Sequence, residues 1–421
     1  MNGPVFKHFA QTTDKQLNIL TLAANYPSQV QPWMINHLYQ VEKNGAANRI
    51  VSVGKDDVSF DESLKHYDLA KYYWNLGESH QALVLNAIKQ LVKPATLART
   101  VRLLNKASWP HSLKKKIVQG ISAYSLTLKP DLIHCHSEPV GARLYHLIKA
   151  NGAPLIHTFH GQTPVGVPTI NKERRAQYTR HAQAILVNTR FAQKQYEALG
   201  AVNDNFIVVP QGTDISKWPY TPKPCPADGE PLQLLTVGRV VEEKGHRYVI
   251  DAVSQLRHEG INAHYHIVGR GPEIDKLQQQ VNALKLQDVI TIHGLLTGEA
   301  LTKQYRQAHI FVLPSLKGNG ETWEETQGVV VQEAQASGLL VIGADSGGIA
   351  ECIKDGENGF VVPDRDADAI TAKVKALLNA PEKWQEWQSS GRDWVTSNYS
   401  LDVLGKRVFA VYNDVVSASK R

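Results

Sequence analysis

Short apolar segments alternate with segments of helical pattern along most of the chain, and this alternation strongly limits the folds that it can adopt. In the second half, residues 234–238 and 264–268 are apolar runs, each followed by a helical pattern. The first half opens in the same way, with an apolar run at residues 18–23, a polar turn and a helical pattern at residues 32–43. Strands and helices in this order predict parallel α/β units. Because 421 residues exceed one comfortable core, we predict two doubly wound α/β domains that face a central cleft.

Composition suggests where the predicted domains begin and end. A proline-rich run at residues 218–231 is typical of a linker. We therefore predict an N-terminal domain at residues 1–212 and a C-terminal domain at residues 213–395. Inside the first domain, residues 61–125 are rich in Lys, Leu and Trp and are mostly helical in pattern. An aromatic helical segment at residues 396–421 ends the chain.

Positive charge is concentrated in the first predicted domain. Residues 1–212 hold 24 Lys and Arg against 13 Asp and Glu, and the remainder holds 22 against 27, so the halves carry +11 and −5. The excess predicts an anionic partner, such as a membrane surface or a diphosphate-linked acceptor, although solvated surface lysines explain it equally well. Around Trp109, six basic residues of segment 61–125 fit either a basic amphipathic membrane contact or core-facing helices with a lysine-rich outer side. We expect no nucleic-acid partner.

Other features limit the class of protein. Three cysteines at wide and unrelated spacings, Cys135, Cys225 and Cys352, argue against a disulfide framework and against a zinc site. Nowhere do 18 apolar residues follow one another, so we expect neither a signal peptide nor a membrane span, and a cytoplasmic protein. Two overlapping D-x-D patterns at residues 364–368 open a predicted helix, so we interpret these carboxylates as helix caps rather than metal ligands.

Two glutamates flank a predicted buried helix that starts near Gly328. Glu325 lies in the loop before the helix and Glu333 a little over one turn inside it, so both can face one crevice. At a helix start the backbone N–H groups of Gln327, Gly328 and Val329 have no intrahelical acceptor, which suits an anion, and carboxylates suit sugar hydroxyls. Alternatively, Glu325 caps the helix and Glu333 is solvated or ion-paired. Apolar neighbours of Glu333 favour instead a buried carboxylate that needs a partner.

Two cations follow the first strand of the second predicted domain. Arg239 and Lys244 lie at its carboxyl end, where open α/β sheets bind their ligands. A fork-shaped guanidinium and a point-charge ammonium around one small anion suit a diphosphate. The alternative is that both are surface cations close to Glu242 and Glu243.

Histidines mark the ends of two predicted strands in the first domain. His134 and His136 share one face of the strand at residues 129–136, because side chains alternate with a period of two. His160 follows the next predicted strand. We expect no metal site, because no third ligand is evident and a strand end that faces the cleft explains the pair better. A hydrogen-bonded strand-end histidine is the alternative interpretation of His160.

The order of these residues resembles a known family. One series is similar to the E-x7-E region of retaining glycosyltransferases of the GT4 type, which have the GT-B fold of two Rossmann-like domains: Glu325, Glu333-Ala334, Ala336-Ser337-Gly338, Gly347-Gly348 and Glu351. The chain looks most like the family members of exopolysaccharide biosynthesis. The resemblance is closest at residues 210–363 and faint before residue 130. Family members usually have Gly-Phe-Gly after the first glutamate, where this chain has Thr326-Gln327-Gly328.

The resemblance implies a reaction and gives roles to the residues above. It implies that a sugar moves, with its anomeric configuration retained, from a nucleotide-diphosphate donor to a glycan or lipid-linked acceptor in bacterial polysaccharide biosynthesis. By resemblance, Arg239 and Lys244 would bind the diphosphate. Glu325 would bind donor-sugar hydroxyls and Glu333 the ribose, and the helix start at Gln327, Gly328 and Val329 would also contact the donor.

The same resemblance completes the predicted site. It implies that His160 touches the donor sugar, so that the catalytic candidates are His160, Glu325, Arg239 and Lys244, and that the loop with Gly294 and Leu295 receives the base. It also implies that the C-terminal helix crosses back to the first domain. No metal and no cofactor are implied beyond the donor, for which a UDP-sugar is favoured. Attachment to the inner face of the cytoplasmic membrane, the sugar, the linkage and the acceptor stay open.

Two alternatives keep the fold and the donor but change the outcome. One is a nucleotide-sugar epimerase, which would form product from the donor alone. The other is a non-catalytic nucleotide-sugar sensor, which the altered Thr326-Gln327-Gly328 suggests and which would bind donor without turnover.

Overall fold

The computed structural model describes residues 16–26, 33–54, 73–75, 98, 129–161, 170–318 and 324–420. Within these residues, strands form two parallel sheets, one of seven strands and one of six, as the alternation of apolar and helical segments predicts. The predicted basic segment at residues 61–125 lies outside the described residues except for residues 73–75 and 98. Its helices and its membrane contact therefore stay predictions.

Seven parallel strands form the first sheet: β1 (Leu17–Asn25), β2 (Ala46–Gly54), β3 (Tyr73–Asn75), β4 (Leu132–Cys135), β5 (Leu155–Phe159), β6 (Ala184–Val187) and β7 (Phe206–Val208). Their order across the sheet is β3-β2-β1-β4-β5-β6-β7. Every residue of β4, β5 and β6 is buried. Parallel strands need cover on both faces, which is why these segments are mostly apolar instead of alternating.

In the described residues, the first sheet is accompanied by α1 (Trp33–Lys43), α2 (Glu138–Asn151), α3 (Lys172–His181) and α4 (Arg190–Ala198). Local caps start two of them. Asn171 Oδ1 accepts a hydrogen bond from Arg174 N at 2.9 Å, and Thr189 Oγ1 accepts one from Ala192 N at 3.1 Å. Such caps satisfy backbone donors that have no partner within the helix.

Six parallel strands form the second sheet: β8 (Leu232–Val237), β9 (Ala263–Val268), β10 (Ile290–Gly294), β11 (Ile310–Leu313), β12 (Leu340–Ala344) and β13 (Phe360–Val362). Their order is β10-β9-β8-β11-β12-β13, so the chain runs outward from β8 to β10 and then returns past β8 to β11. Open sheets of this kind bind ligands at the carboxyl ends of the strands beside the reversal. The predicted strands at residues 234–238 and 264–268 are confirmed as β8 and β9.

The second sheet is followed and flanked by α5 (His246–His258), α6 (Ile274–Ala283), α7 (Gly298–Gln307), α8 (Val329–Ser337), α9 (Ile349–Cys352), α10 (Ala367–Leu378), α11 (Trp384–Asn398) and α12 (Leu401–Ala418). Asp366 caps α10, because its Oδ1 accepts a hydrogen bond from Ala369 N at 2.8 Å. The interpretation of this D-x-D carboxylate as a helix cap is thereby confirmed. Across the described ranges, no helix is both long and apolar enough to cross a bilayer.

Helix α12 packs on the first sheet, although it follows the second in sequence. Val408, Phe409 and Tyr412 are buried in one cluster with Leu17 and Ala46 of β1 and β2. Near the start of α12, Asp402 forms an ion pair with Lys43 of α1 at 2.9 Å. The last helix therefore completes the core of the first sheet. The exact boundaries of the predicted domains, 1–212, 213–395 and 396–421, stay a prediction.

Candidate active site

Residues that follow strands of the first sheet contact residues that follow β11 of the second. Thr189 comes after β6, and its Oγ1 donates a hydrogen bond to the backbone oxygen of Thr326 at 2.8 Å. Gln211 comes after β7 and exchanges two hydrogen bonds with the side chain of Gln327, at 2.7 and 2.9 Å. The carboxyl ends of the two sheets therefore meet at the loop between β11 and α8.

Lys244 and Glu325 form an ion pair at the carboxyl edge of the second sheet. Lys244 ends the 3-10 turn Glu242–Lys244, and its Nζ donates a hydrogen bond to Glu325 Oε2. The two side chains are only 8% and 15% exposed. Each charge depends on the other, because removing one partner of a buried pair leaves the second uncompensated. Two of the predicted site residues are thus direct partners.

Two glycines let the backbone at Glu325 pass close to the loop after β12. A Cβ atom on Gly347 would lie 2.0 Å from Glu325 O, and one on Gly348 would lie 2.0 Å from Thr326 O. The amide of Gly348 donates a hydrogen bond to Glu325 O at 2.8 Å. Only residues without a Cβ fit at this distance, so the glycine pair fixes the position of the loop that carries Glu325.

Arg239 lies at the same strand end as Lys244, directly after β8, and it is exposed. Its backbone oxygen is held by His246 Nε2 at 3.1 Å, at the start of α5. The two residues predicted to bind the diphosphate therefore differ. The ammonium of Lys244 is buried in an ion pair, whereas Arg239 is exposed at the surface.

Glu333 lies in the second turn of α8, and its partner is a tyrosine from a neighbouring helix. Tyr305, in α7, donates a hydrogen bond from its hydroxyl to Glu333 Oε2 at 2.9 Å. Burial raises the pKa of the Glu333 carboxyl to about 7, and the hydrogen bond from Tyr305 acts in the opposite direction. The expectation that a carboxylate in this apolar helix needs a partner is met by Tyr305.

The predicted helix start is found one residue later than expected. Helix α8 begins at Val329, preceded by Gly328 in the left-handed conformation with φ 79°, and no side chain caps it. The side chain of Gln327 is buried and is used in the contact with Gln211. Hence the backbone at this helix start, rather than the glutamine side chain, is suited to an anionic ligand.

His160 follows β5 and contacts both His136 and the Thr326 loop. Its Nε2 lies 3.2 Å from His136 Nδ1, and the two rings stack with their centroids 5.4 Å apart. Thr326 Oγ1 donates a long hydrogen bond of 3.4 Å to His160 O. Burial holds the pKa of both histidines well below the ordinary value, so both rings are neutral at pH 7. This neutral histidine and Glu325 are joined through the adjacent residue Thr326.

A histidine cluster extends from this point toward α12. In the described part of the chain, ring nitrogens of His37, His134 and His136 lie within 4.8 Å of one another. His134 Nδ1 lies 2.5 Å from Tyr412 Oη, and its Nε2 lies 2.6 Å from Thr158 Oγ1. Both nitrogens of His134 are therefore engaged with hydroxyl groups, and binding of a metal would require the ring to give up one of these hydrogen bonds.

The residues predicted to bind the base lie at the end of β10, with Gly294 its last residue and Leu295 directly after it. Gly294 has a positive φ of 72°, and its carbonyl oxygen accepts a hydrogen bond from Gly269 N at 2.8 Å. Leu295 is 59% exposed, which makes it one of the few exposed large apolar residues among those described. An exposed leucine at a strand end suits contact with a flat apolar ligand face.

Glu351 connects the two sheets in a way that the motif did not reveal. Its carboxylate accepts hydrogen bonds from the backbone amides of Arg190 at 2.9 Å and Phe191 at 2.6 Å, at the start of α4. A carboxylate suits the positive end of a helix. Sequence reasoning also gave no role to Tyr305 or to Gln211. Their partners lie 28 and 116 residues away, so no local pattern indicates these contacts.

Taken together, these side chains suit an anionic ligand that also carries hydroxyl groups. Lys244 and Arg239 supply positive charge, while Glu325 and Glu333 supply acceptors for hydroxyl groups. His160 adds a neutral ring from the first sheet.

Protein-family models match both halves of the chain. The model described as glycosyl transferases group 1 matches residues 221–394, and the one described as glycosyltransferase family 4 matches residues 78–217. Among curated proteins, the chain is similar to the putative colanic acid biosynthesis glycosyltransferase WcaL of Salmonella typhimurium. The two are 26% identical over 365 residues, which covers 83% of this chain and 87% of WcaL.

Solved structures share the fold. A glycosyltransferase from Rickettsia africae is 19% identical and superposes with a TM-score of 0.69. The superposition covers 96% of this chain and 99% of the Rickettsia chain. Anabaena HepE in complex with UDP-glucose is 15% identical, covers 96% of this chain and 100% of its own, and has a TM-score of 0.66. At these identities the likeness concerns the fold alone, and the predicted GT-B fold is confirmed.

Proposed function

Because the chain belongs to the family 4 glycosyltransferases, we propose that it transfers a sugar, with retention of configuration, to a glycan or lipid-linked acceptor in bacterial polysaccharide biosynthesis. The family makes it a hexosyltransferase that uses a nucleotide-sugar donor, as the resemblance implied. The acceptor class is supported by the similarity to WcaL, whose name assigns that protein to colanic acid biosynthesis.

The observation that carries the proposed mechanism is the ion pair of Lys244 and Glu325. In the structure the ammonium is neutralised by the carboxylate. A donor diphosphate that binds Lys244 takes over this role, and Glu325 then becomes an acceptor for donor-sugar hydroxyls. The diphosphate and the sugar of the donor are thereby recognised by one exchange of partners. Arg239 adds a second cation to the diphosphate, Glu333 binds the ribose, and Gly294 and Leu295 border the base, for which we favour uracil.

The chemistry needs charge stabilisation more than proton transfer from the protein. The bond between the anomeric carbon and the diphosphate oxygen breaks, and negative charge grows on that oxygen, where Lys244 and Arg239 stabilise it. The acceptor oxygen attacks the same face of the sugar, and its proton passes to the departing phosphate. His160, which is neutral, positions the sugar rather than supplying a charge. The start of α8 offers backbone amides to the diphosphate.

The proposals for the acceptor and for the location of the protein are based on the charge of the first 212 residues. The N-terminal 212 residues carry a net charge of +11. We propose that this excess holds the protein at the inner face of the cytoplasmic membrane, close to a lipid-linked saccharide, and that the protein does its work in the cytoplasm.

Thermal melting of the purified protein with UDP-glucose, GDP-mannose and ADP-glucose tests the donor first. A ligand at 100 times its dissociation constant stabilises a protein by about 2.7 kcal/mol, which moves the midpoint measurably. The stabilising donor is then incubated with bacterial membranes as the source of acceptor. Transfer that needs membranes supports the proposal, product from the donor alone indicates an epimerase, and binding without turnover indicates a sensor.

A further inference from the structure

Tyr305 is a buried residue whose hydroxyl is directed at Glu333, the residue predicted to bind the ribose. It lies near the end of α7 and is 0% exposed. Its ring is held by Trp218, with centroids 4.8 Å apart at 64°, and by Phe311, with centroids 6.0 Å apart at 14°. From this fixed ring the hydroxyl donates to Glu333 Oε2 at 2.9 Å. The direction of the hydrogen bond is therefore set by core packing.

Core filling alone does not explain why this position carries a hydroxyl. A phenylalanine would fill the same space, and a buried hydroxyl is costly unless it has a partner. The partner here is the carboxyl group of a residue in the E-x7-E region. Glu333 has an apolar neighbourhood that disfavours its charged form, and a hydroxyl that donates to the carboxylate favours that form.

We propose that Tyr305 is a positioning residue for the donor: it holds Oε2 of Glu333 and turns the carboxylate so that Oε1 accepts hydrogen bonds from the ribose hydroxyls. This inference rests on the proposed function, because it assumes that Glu333 meets the donor. A carboxylate that rotates freely would lose rotational freedom on binding, whereas one already held in place does not.

Three other charged or titratable side chains near α8 have partners other than the Glu333 carboxyl. Arg392 of α11 donates to Ala336 O at 2.5 Å, and Cys352 of α9 donates to Gln327 O at 2.9 Å. Lys244 pairs with Glu325. Among the described residues, Tyr305 is thus the one seen to hydrogen-bond the Glu333 carboxyl. Removing its hydroxyl therefore acts on this carboxyl directly.

The experiment compares Tyr305→Phe with Tyr265→Phe. Tyr265 is also 0% exposed and lies in β9 of the second sheet. Its hydroxyl donates to Thr236 Oγ1 at 2.9 Å and lies 3.4 Å from His246 Nδ1, so Tyr265→Phe also removes a buried hydroxyl from its partners. We expect Tyr305→Phe to raise the KM for the nucleotide sugar about tenfold at pH 7, with kcat changed less than threefold. Tyr265→Phe should lower the melting midpoint about as much as Tyr305→Phe does. It should leave the KM unchanged, because His246 contacts Arg239 O through its other ring nitrogen, Nε2.

The pH profile of donor binding is the readout that a packing role would not move. Binding is measured with the nucleotide sugar that gives the largest melting shift, because the terminal phosphate of a free nucleotide itself titrates near pH 6. Donor affinity should fall as the pH is lowered and the Glu333 carboxyl is protonated. Tyr305→Phe should move this fall to higher pH, because the hydrogen bond from Tyr305 favours the charged carboxylate. In a Glu333→Gln background, Tyr305→Phe should have no further effect on the KM, since the hydroxyl acts through the carboxylate.

The outcomes separate this inference from the function on which it rests. If the unmodified protein binds no nucleotide sugar, the proposed function and the inference both fail. If it binds and turns over a donor, but the KM and pH profile of Tyr305→Phe match those of Tyr265→Phe, the function stands and Tyr305 is only a core residue. Additive effects of Tyr305→Phe and Glu333→Gln would also overturn the inference.

Discussion

Gln211 and Gln327 join the two sheets through a reciprocal pair of hydrogen bonds. The backbone amide of Gln211 donates to Gln327 Oε1 at 2.7 Å, and Gln327 Nε2 donates to the backbone oxygen of Gln211 at 2.9 Å. A side-chain amide thus pairs with a backbone unit as a neighbouring strand would. Gln327 is 2% exposed and Gln211 is half-buried, so both hydrogen bonds are partly shielded from water. Gln327, one of the two residues that depart from the usual family motif, therefore has a structural role in the cleft.

Replacing Gln327 by leucine should weaken the contact between the two sheets and slow catalysis. The variant leaves the half-buried N–H and C=O of Gln211 without their Gln327 partners, which costs about 1–2 kcal/mol. We expect kcat to fall more than tenfold, because His160 and Glu325 lie on opposite sides of this contact. The measurement is steady-state kinetics together with denaturant unfolding.

Gln335→Leu is the matched control for that experiment. Gln335 lies in α8, the helix that follows Gln327. It is 0% exposed and donates to Asn358 O at 2.9 Å, a partner that also follows strands of the second sheet. It should lose comparable stability and keep its kcat. Equal kinetic losses in both variants would mean that Gln327 supports the fold only.

Local patterns predicted the elements that face a hydrophobic layer. The apolar runs at residues 234–238 and 264–268 match β8 and β9, because strands buried on both faces must be apolar. Helix α3 was not predicted, since its sequence KERRAQYTRH has no apolar stripe. It packs through Arg175, whose guanidinium is 6% exposed and pairs with Glu138 at 2.7 Å. A buried charge satisfied by a partner 37 residues away cannot be read from periodicity.

The candidate site was predictable as a set of residues but not as a set of contacts. Strand ends located Lys244 and Glu325 at one edge, because parallel strands share their carboxyl ends. Their pairing, and the hydrogen bond between Tyr305 and Glu333, depend on how loops and helices pack across 81 and 28 residues. The roles of His160, Arg239, Gly294 and Leu295 toward a donor stay predictions.

Lys244→Ala should remove both donor binding and part of the stability. The variant leaves Glu325 mostly buried and uncompensated, which we expect to cost about 2–3 kcal/mol after allowance for its partial exposure. The loss of one group that stabilises charge in the transition state should lower kcat/KM by about 100-fold or more. Melting with and without a nucleotide sugar, and steady-state kinetics, measure the two effects.

A double variant separates these effects. Lys244→Ala with Glu325→Gln removes both charges, so it should regain most of the lost stability and none of the activity. The control is Lys217→Ala, whose side chain is 52% exposed and lies 3.8 Å from Asp214. If the double variant recovers activity, Lys244 does not bind the diphosphate.

The raised pKa of Glu333 should make stability fall as the pH rises. The folded protein holds this carboxyl proton up to about pH 7, whereas the unfolded chain releases it near pH 4.5, so folding is favoured most at low pH within this window. Above pH 7 the cost approaches about 3 kcal/mol, because each unit between the two pKa values corresponds to about 1.4 kcal/mol. Glu333→Gln should therefore be more stable than the unmodified protein at pH 8, with little difference at pH 4.5.

Denaturant unfolding at several pH values measures this difference. Glu357→Gln is the control, because Glu357 is 68% exposed and only 3.6 Å from Lys354 in an exposed pair. A pH dependence that is the same in Glu333→Gln and in Glu357→Gln would show that the Glu333 carboxyl titrates normally.

His160→Ala should lower kcat by about 100-fold without changing the shape of the pH profile between pH 6 and 8, because burial keeps the imidazole neutral throughout that range. His258→Ala is the control, since His258 lies in α5 and its hydrogen bond, to Ser254 O at 2.7 Å, stays within that helix. The kinetics should be followed together with the dissociation constant for the donor, which we expect to rise by less than tenfold. A profile that loses its acidic limb in His160→Ala would mean that His160 itself titrates during the reaction. An unchanged kcat would leave His160 as a strand-end histidine that holds His136 in place, which is the alternative that its position after β5 allows.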